Sequence, residues 1–146
     1  MELTIGTANF LRESFVNILN RSTDVLLSTV IRCNLFTNIE KLNTSLKGFD
    51  TVRQDLVKKY CDETGKIEQY IEDKDGNTVL NDNFVFVEKE LNELAEQKIN
   101  VELETMSFTY SEAMQRIAQV DIPVTQRELS LLSFVCSSEE YEEGSK

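Results

Sequence analysis

The chain of 146 residues carries a formal net charge of −11, has 40% hydrophobic residues, and contains five Gly and one Pro. This length and apolar content exclude a disordered chain, and the scarcity of Gly and Pro argues against a β-sandwich or barrel. No apolar run approaches the ~20 residues of a membrane span, and the N-terminus has neither the basic start nor the apolar core of a signal peptide. We therefore expect a soluble, intracellular protein that does not enter a membrane.

The charge is divided unevenly along the chain. Residues 1–60 hold eight Lys or Arg and six Asp or Glu, a balance of +2. Residues 61–146 hold seven Lys or Arg and twenty Asp or Glu, a balance of −13. An acidic half disfavours direct binding to nucleic acid or to anionic membranes, but it is compatible with a basic protein surface.

The N-terminal segment predicts a short strand followed by a helix. Leu3-Thr4-Ile5 is β-prone, and a helix is expected from Thr7 to Asn20 because its apolar residues recur on one face.

A heptad repeat of apolar residues predicts one long helix over residues 24–62, with a second helix packed against it. Gly48 lies inside this stretch and is its weak point, since Gly costs about 1 kcal/mol relative to Ala in a helix. We interpret the repeat as a partner-binding seam. Its members are Leu35, Ile39, Leu42, Leu46, Phe49, Leu56 and Tyr60.

Residues 66–80 predict a β-hairpin, because Asp75-Gly76 lies between β-prone segments and such pairs favour a type I′ turn. Asp73, Asp75 and Asn77 alternate as in a calcium loop, but the Gly and Glu of an EF-hand are missing at the required positions, so no calcium site is expected.

A third helix is predicted over residues 82–98, followed by a strand over residues 99–104 that could pair with the hairpin or with residues 3–5. The helix carries four carboxylates that could form an acidic face. They are Glu88, Glu90, Glu93 and Glu96. Glu90 and Glu93 lie three residues apart and should share a face.

The C-terminal part predicts a short helix after Ser111 and a second one behind a capping box, Thr125 to Glu128. Residues 137–146 form an acidic tail that we expect to be disordered. The whole predicts a single α+β domain over residues 1–136. It should be mainly helical, with a long antiparallel helical hairpin, a β-hairpin or small antiparallel sheet, and a C-terminal helical segment.

The chain lacks the residues that most enzymes need. It has no histidine and no glycine-rich phosphate-binding motif, and its three cysteines are widely spaced and expected to be reduced. We therefore predict no catalytic residues, no metal and no cofactor.

The order of features resembles a family of small proteins, without established activity, that tailed phages and prophages of Gram-positive bacteria encode. The segments that carry the resemblance are Asn9-Phe10-Leu11, Asp55 to Tyr60, Ile71 to Asn77, Phe86 to Leu94 with Val101-Glu102-Leu103, and Ile122-Pro123-Val124. The resemblance implies a phage-encoded protein that acts in the host cytoplasm or in the virion, and it carries over no functional residues.

Three functional hypotheses follow. The leading one is a non-enzymatic phage protein that binds a phage or host protein through its helical hairpin, or forms a homodimer. The first alternative is an acidic inhibitor of a host defence nuclease, of the anti-CRISPR or anti-restriction type, that mimics the charge of nucleic acid. The second alternative is a helper in tail or capsid assembly.

Overall fold

The chain folds into α-helices, one 3-10 helix and two two-stranded antiparallel sheets within residues 1–23, 27–120 and 122–138, the part that the computed structural model describes. This confirms the α+β, mainly helical class. In chain order the elements are β1 (Glu2–Thr4), α1 (Ile5–Asn20), α2 (Thr29–Ser45), α3 (Lys47–Tyr60), β2 (Tyr70–Glu72), β3 (Thr78–Leu80), α4 (Asp82–Ala95), β4 (Lys98–Asn100), α5 (Tyr110–Ala118), α6 (Gln126–Ser130) and the 3-10 helix Leu131–Val135.

The hydrophobic core lies between α1, α2 and the C-terminal third of the chain. α1 buries one face because its apolar residues follow the 3.6-residue period of a helix. The buried cluster contains Leu3, Ile5, Ala8, Leu11, Phe15, Ile18, Leu27, Ile31, Leu35, Leu42, Leu46, Val101, Met106, Ala113, Ile117, Leu132 and Val135. No member of this cluster falls between residues 47 and 100. The segment that contains α3 and α4 is therefore attached to the core and is not part of it.

The single long helix predicted over residues 24–62 is wrong, because the chain forms two helices joined by a kink. Leu46, between α2 and α3, lies in the bridge region of backbone space, with φ −96° and ψ 8°. Its N–H still donates to the Leu42 carbonyl at 2.8 Å, and the Asp50 N–H donates to the Leu46 carbonyl at 2.8 Å. Gly48 follows the kink directly, and residues 24–26 lie outside the described residues.

The kink also replaces the predicted long helical hairpin with two shorter helix pairs. α2 packs against α1, while α3 packs against α4. The two arms of the second pair are equal, at 14 residues each. α4 ends at Ala95, short of the predicted residue 98, and α1 begins at Ile5, two residues before its predicted start.

The N-terminal strand provides the partner of β4. The two strands pair antiparallel with Leu3 opposite Ile99, and the Ile5 N–H extends the pairing by donating to the Gln97 carbonyl at 2.7 Å. Of the two predicted pairings, the one with the N-terminal strand is thus confirmed. Gly6 permits this close approach, since a Cβ there would lie 3.3 Å from the Ala95 carbonyl oxygen.

The strand predicted over residues 99–104 is shorter in the structure, where β4 ends at Asn100, and side chains of α2 bond to the backbone of Glu104 farther along the segment. Asn38 of α2 is fully buried, accepts a hydrogen bond from the Glu104 N–H at 2.7 Å and donates to the Glu104 carbonyl at 3.0 Å. Asn34 donates to the same carbonyl at 3.0 Å. A primary amide offers both a donor and an acceptor, so it can take the place of a neighbouring strand.

The predicted hairpin is confirmed, but the predicted turn type is wrong. A type I′ turn needs positive φ at both central residues, whereas Gly76 (φ 80°) is positive and Asp75 is not. The Gly76 N–H donates to the Asp73 carbonyl at 3.1 Å and the Asp73 N–H donates to the Asn77 carbonyl at 2.8 Å. These bonds describe a three-residue loop in which a type I turn is followed by a left-handed glycine.

The C-terminal segment is tied to α1 by the predicted capping box. Thr125 and Glu128 cap the start of α6 reciprocally, which confirms the prediction. Glu128 also accepts a hydrogen bond from Asn17 of α1 at 2.9 Å. The bond from the Thr125 N–H, followed by the one from Asn17, lowers the pKa of Glu128. Within the predicted tail, the Ser137 N–H donates to the Phe108 carbonyl at 2.9 Å, and residues 139–146 lie outside the described residues.

Candidate protein-binding site

One end of the molecule carries most of its exposed apolar surface. We define the tip as residues 61–86, which include the β2–β3 hairpin and the first turn of α4. Ten large apolar side chains are exposed in the described part of the chain, and six of them belong to the tip. These six are Tyr70, Ile71, Val79, Leu80, Val85 and Phe86, with exposed fractions of 37% to 55%. Isolated exposed apolar side chains are ordinary, but this concentration indicates a binding surface.

The hairpin exposes apolar side chains on both of its faces. Tyr70 lies opposite Leu80, and Ile71 lies opposite Val79. Because successive residues of a strand point to opposite faces, the first pair lies on one face and the second on the other. Every residue of β2 and β3 is exposed. An isolated two-stranded hairpin is marginally stable in water, so a surface that covers one face would stabilise it.

Two turns of the same kind shape the tip. Each has the sequence Asp-x-x-Gly, from Asp62 to Gly65 and from Asp73 to Gly76. In both, the glycine has φ 80° and its N–H donates to the aspartate carbonyl, at 3.0 and 3.1 Å. The aspartate carboxylate accepts from the N–H groups two and four positions later, at 2.8 to 3.0 Å. The tip is therefore held by bonds between residues close in sequence.

The first of these turns has a perturbed carboxylate. The Thr64 hydroxyl donates to the Asp62 carboxylate at 2.6 Å. That bond, followed by the N–H bonds from Lys66 and Thr64, holds the pKa of Asp62 below its usual range. Asp62 thus keeps its negative charge to a lower pH than an ordinary aspartate.

Behind the hairpin, α3 and α4 run antiparallel with little core between them. The rings of Tyr60 and Phe86 lie with centroids 5.3 Å apart, and farther along the pair Leu56 and Glu90 line a shallow groove of about 280 Å³. No residue of α3 is buried, and Val87 is the only buried residue of α4. We call α3, the tip and α4 together the arm.

A bidentate ion pair fixes the arm to the core at the start of α3. Two guanidinium nitrogens of Arg12 donate to the two carboxylate oxygens of Asp50, at 2.7 and 2.8 Å. The bond from Arg12 outweighs burial and lowers the pKa of Asp50, and the same bond raises the pKa of Arg12. Since bidentate pairs constrain direction as well as distance, this pair helps to set the angle of α3 against α1.

The tip is acidic as well as apolar. It holds seven Asp or Glu and two Lys, a balance of −5, and all seven carboxylates are exposed. Complementary charge across an interface speeds association and excludes wrong partners. The tip therefore suits a surface that is apolar at its centre and basic around it.

The heptad seam is not a partner-binding surface along its whole length, so that prediction is wrong for three of its members. Leu35, Leu42 and Leu46 are fully buried in the core. They are buried because α1 packs against α2 and covers the first part of the seam, whereas α4 faces the second part. The four members that keep partial exposure are Ile39, Phe49, Leu56 and Tyr60. Much of the packing that the heptads predicted is thus satisfied within the chain.

The four glutamates predicted to share the third helix do not form one row, and Glu96 lies just past the end of α4 at Ala95. At about 100° per residue, Glu88, Glu90, Glu93 and Glu96 spread over roughly 200° of the helix circumference. Glu90 is half-buried and the other three are exposed. Glu90 and Glu93 line the same groove, as expected from their spacing. The structure brings together this pair and leaves Glu88 on another side of α4.

A second apolar region lies between α1 and α2. Leu19, Arg32, Phe36 and Ile39 are among the residues that line a groove of about 500 Å³, and Phe36 is 55% exposed. Among the groove's lining side chains Phe36 is the one large apolar group classed as exposed, against six in the tip. The tip is therefore the stronger candidate.

The six exposed apolar side chains of the tip were not among the binding residues predicted from the sequence. A signal was present, because Tyr70-Ile71 and Val79-Leu80 are consecutive apolar pairs and so place one apolar residue on each face. A hairpin packed on one side instead alternates apolar and polar residues.

Comparison with known proteins adds no further assignment, since no family model, curated protein or solved structure matches the chain. Among the residues that the structure describes, no group of three or more His, Cys, Asp or Glu is placed to hold a metal ion. No helix in residues 1–23, 27–120 and 122–138 combines the length and apolarity needed to cross a bilayer. The candidate site therefore depends on the geometry and charge of the tip.

Proposed function

We propose that the chain is a non-enzymatic interaction protein that binds a protein partner through its tip. The observation that carries this proposal is a hairpin with exposed apolar pairs on both faces, Tyr70–Leu80 and Ile71–Val79. Full burial of a large apolar side chain contributes about 1.5–3 kcal/mol, and the six still expose 37% to 55% of their surface, so burial by a partner gains about half of that value from each and offsets part of the entropy lost on association. The resemblance noted in the sequence supports a phage-encoded protein acting in the host cytoplasm or the virion.

The proposal is tested by replacing one apolar pair without disturbing the strands. Ile71→Thr combined with Val79→Thr removes the apolar character of one face and keeps β-branched side chains, so the hairpin should still form. Val30→Thr is the matched control, because Val30 is 38% exposed on α2, outside the tip. Immobilised parent, tip variant and control are incubated with an extract of the cells that produce the protein, and bound proteins are identified by mass spectrometry.

We expect the parent and the control to retain the same protein at equal yield and the tip variant to lose it. Retention by all three proteins, or by none of them, would overturn the proposal. Light scattering over a range of concentrations accompanies the experiment, because self-association that the tip variant abolishes would identify a second copy as the partner.

A second candidate function, charge mimicry directed at a basic nuclease, is favoured by the seven exposed carboxylates of the tip. In this case binding should weaken steeply with salt, as for a nucleic acid. Titration against a basic nuclease, with DNA as competitor, separates the two candidates. DNA displaces a charge mimic, and Ile71→Thr/Val79→Thr leaves the affinity of a mimic unchanged, whereas a partner held by the apolar pairs is lost in that variant.

A further inference from the structure

The hairpin has a main-chain edge that is open to another strand. The Asn81 N–H donates to the Gln69 carbonyl, and the Asp73 N–H donates to the Asn77 carbonyl, each at 2.8 Å. Hydrogen-bonded and non-hydrogen-bonded pairs alternate in an antiparallel ladder. Thr78 and Leu80 therefore belong to non-hydrogen-bonded pairs, and their N–H and C=O groups point away from β2.

The edge of β3 lacks the usual protection against strand addition. Natural edge strands are commonly guarded by charged side chains, proline or a bulge. β2 carries Glu72, whereas β3, with the sequence Thr78-Val79-Leu80, carries no charge. β3 is therefore the edge at which an added strand meets no charged side chain of the hairpin.

The charge of the tip decides between a second copy and a different chain. Two tips that met edge to edge would bring together two surfaces with a balance of −5 each. Like charges at an interface disfavour this pairing, while a chain rich in Lys or Arg is attracted. The apolar pairs on the two faces of the hairpin add a requirement for two consecutive apolar residues, because successive side chains of a third strand point to opposite faces.

From these three observations we propose that the tip binds an extended, basic segment of a partner protein, which adds to β3 as a third antiparallel or parallel strand. The segment carries two consecutive β-branched or aromatic residues, one for each face of the hairpin, flanked by Lys or Arg. This inference rests on the proposed function and specifies both the partner's chemistry and the mode of binding. Main-chain bonds to Thr78 and Leu80 provide affinity, and the apolar residues provide register.

The test uses a library of random peptides displayed on a carrier and selected on the full-length protein. We expect the selected sequences to carry two consecutive apolar residues flanked by Lys or Arg. A selected peptide is then synthesised and its affinity is measured for the parent, for Thr78→Pro and for Thr78→Val. Proline removes the outward N–H and keeps the ladder to β2, because that N–H is not part of the ladder. Valine keeps the N–H and is the matched control.

Thr78→Pro should bind the selected peptide about tenfold more weakly than the parent or not detectably, while Thr78→Val should bind it like the parent. Amide exchange at Thr78 and Leu80 should slow in the complex. Equal affinity for the parent and Thr78→Pro, unchanged amide exchange, or selection of acidic or helix-patterned sequences overturns the inference. So does the selection of no peptide at all.

Two further measurements keep these outcomes distinct. If Thr78→Pro loses the amide protection of Ile71 and Val79, the hairpin itself has opened, and a peptide methylated at alternate main-chain nitrogens replaces the variant as the test. If a captured partner no longer binds Ile71→Thr/Val79→Thr but still binds Thr78→Pro, the proposed function stands and strand addition is overturned. A concentration-dependent dimer that Thr78→Pro abolishes would instead assign the edge to a second copy.

Discussion

Leu42 lies completely buried between α1 and α2, while its neighbour Asn43 is exposed. A carboxylate at position 42 would lose its hydration without gaining a partner, so Leu42→Asp should destabilise the fold by ~3 kcal/mol or more. Asn43→Asp should change stability by less than ~0.5 kcal/mol, because the new charge is solvated and faces Arg12, which donates to Asn43 at 3.2 Å. Urea unfolding of both variants measures the difference. Equal midpoints would show that position 42 is not enclosed.

The Arg12–Asp50 pair predicts a stability effect that depends on pH. The pKa of Asp50 is lower in the folded protein than its unfolded value of about 3.9. The folded state thus binds fewer protons at this site. Its contribution to stability is complete above about pH 4–5 and is lost as pH falls through the folded pKa.

We therefore expect Asp50→Asn to lower the free energy of unfolding at pH 7 by on the order of 1–2 kcal/mol, given that the pair is partly buried and bidentate. The difference between variant and parent should shrink steadily below about pH 4. Thermal melts across this range measure it. Asp55→Asn, an exposed carboxylate on the same helix, is the control and should behave like the parent at every pH. A difference for Asp50→Asn that does not depend on pH would contradict the electrostatic explanation.

At the residue scale, local bonds were predictable and distant ones were not. The capping box of Thr125 and Glu128 follows from a three-residue spacing, and the structure contains it. Asn38, by contrast, meets Glu104 across 66 positions of sequence. Nothing in the pattern around Asn38 distinguishes it from a solvated helix residue, so neither its burial nor its bonds to Glu104 could be inferred.

At the element scale, the heptad pattern identified the helical residues and their apolar side but not the partners of that side. A heptad repeat indicates which side chains avoid water. The repeat is the same whether the facing partner is one long helix or two short ones. The kink at Leu46 leaves no mark in the periodicity, because Leu42, Leu46 and Phe49 keep their spacing through it. Gly48 was the only local signal.

Two glycines of the arm should respond to substitution in opposite directions. Gly48 lies in the first turn of α3, and a Cβ there meets no atom within 4 Å, so Gly48→Ala should stabilise the protein by about 0.5–1 kcal/mol. Gly76 has φ 80°, where an L-residue is strained, so Gly76→Ala should destabilise the hairpin by about 1 kcal/mol or more. Melting temperature reports the first change, and amide exchange in β2 and β3 reports the second. A loss of stability in Gly48→Ala would mean that the kink needs glycine.

At the scale of the whole molecule, the buried cluster is confined to residues 3–46 and 101–135. Regions with few buried apolar contacts open at lower free energy than the core. We therefore expect amide hydrogens of α3, the hairpin and α4 to exchange faster than those of α1 and α2 in the free protein. Mass spectrometry measures these exchange rates. Binding of a partner at the tip should slow exchange in α3, the hairpin and α4, and so reduce their difference from α1 and α2. Equal amide exchange rates across α1–α4 would contradict this prediction.

The fold class was accessible from composition and periodicity, whereas the only sequence signal of the candidate site was the pair of consecutive apolar dipeptides, Tyr70-Ile71 and Val79-Leu80. Helices and the hairpin could be predicted because their signals are local, such as Asn81 ahead of α4 and Asp75-Gly76 in the turn. The exposure of Ile71 and Val79 depends on what fails to pack against them, which is a property of the assembled chain. A pattern can mark apolar residues, but the three-dimensional arrangement decides which of them meet water.

The duplicated Asp-x-x-Gly turn has a consequence for how this protein could diversify. Each turn is closed by bonds that span no more than four positions. The conformation of the tip is therefore determined by one contiguous stretch of the chain. The two helices that flank this stretch end side by side, where Tyr60 meets Phe86. Such a stretch is a cassette, which could be transferred between antiparallel helix pairs together with its binding specificity. Substitutions in the tip could then change the binding specificity of the protein while the core stays the same.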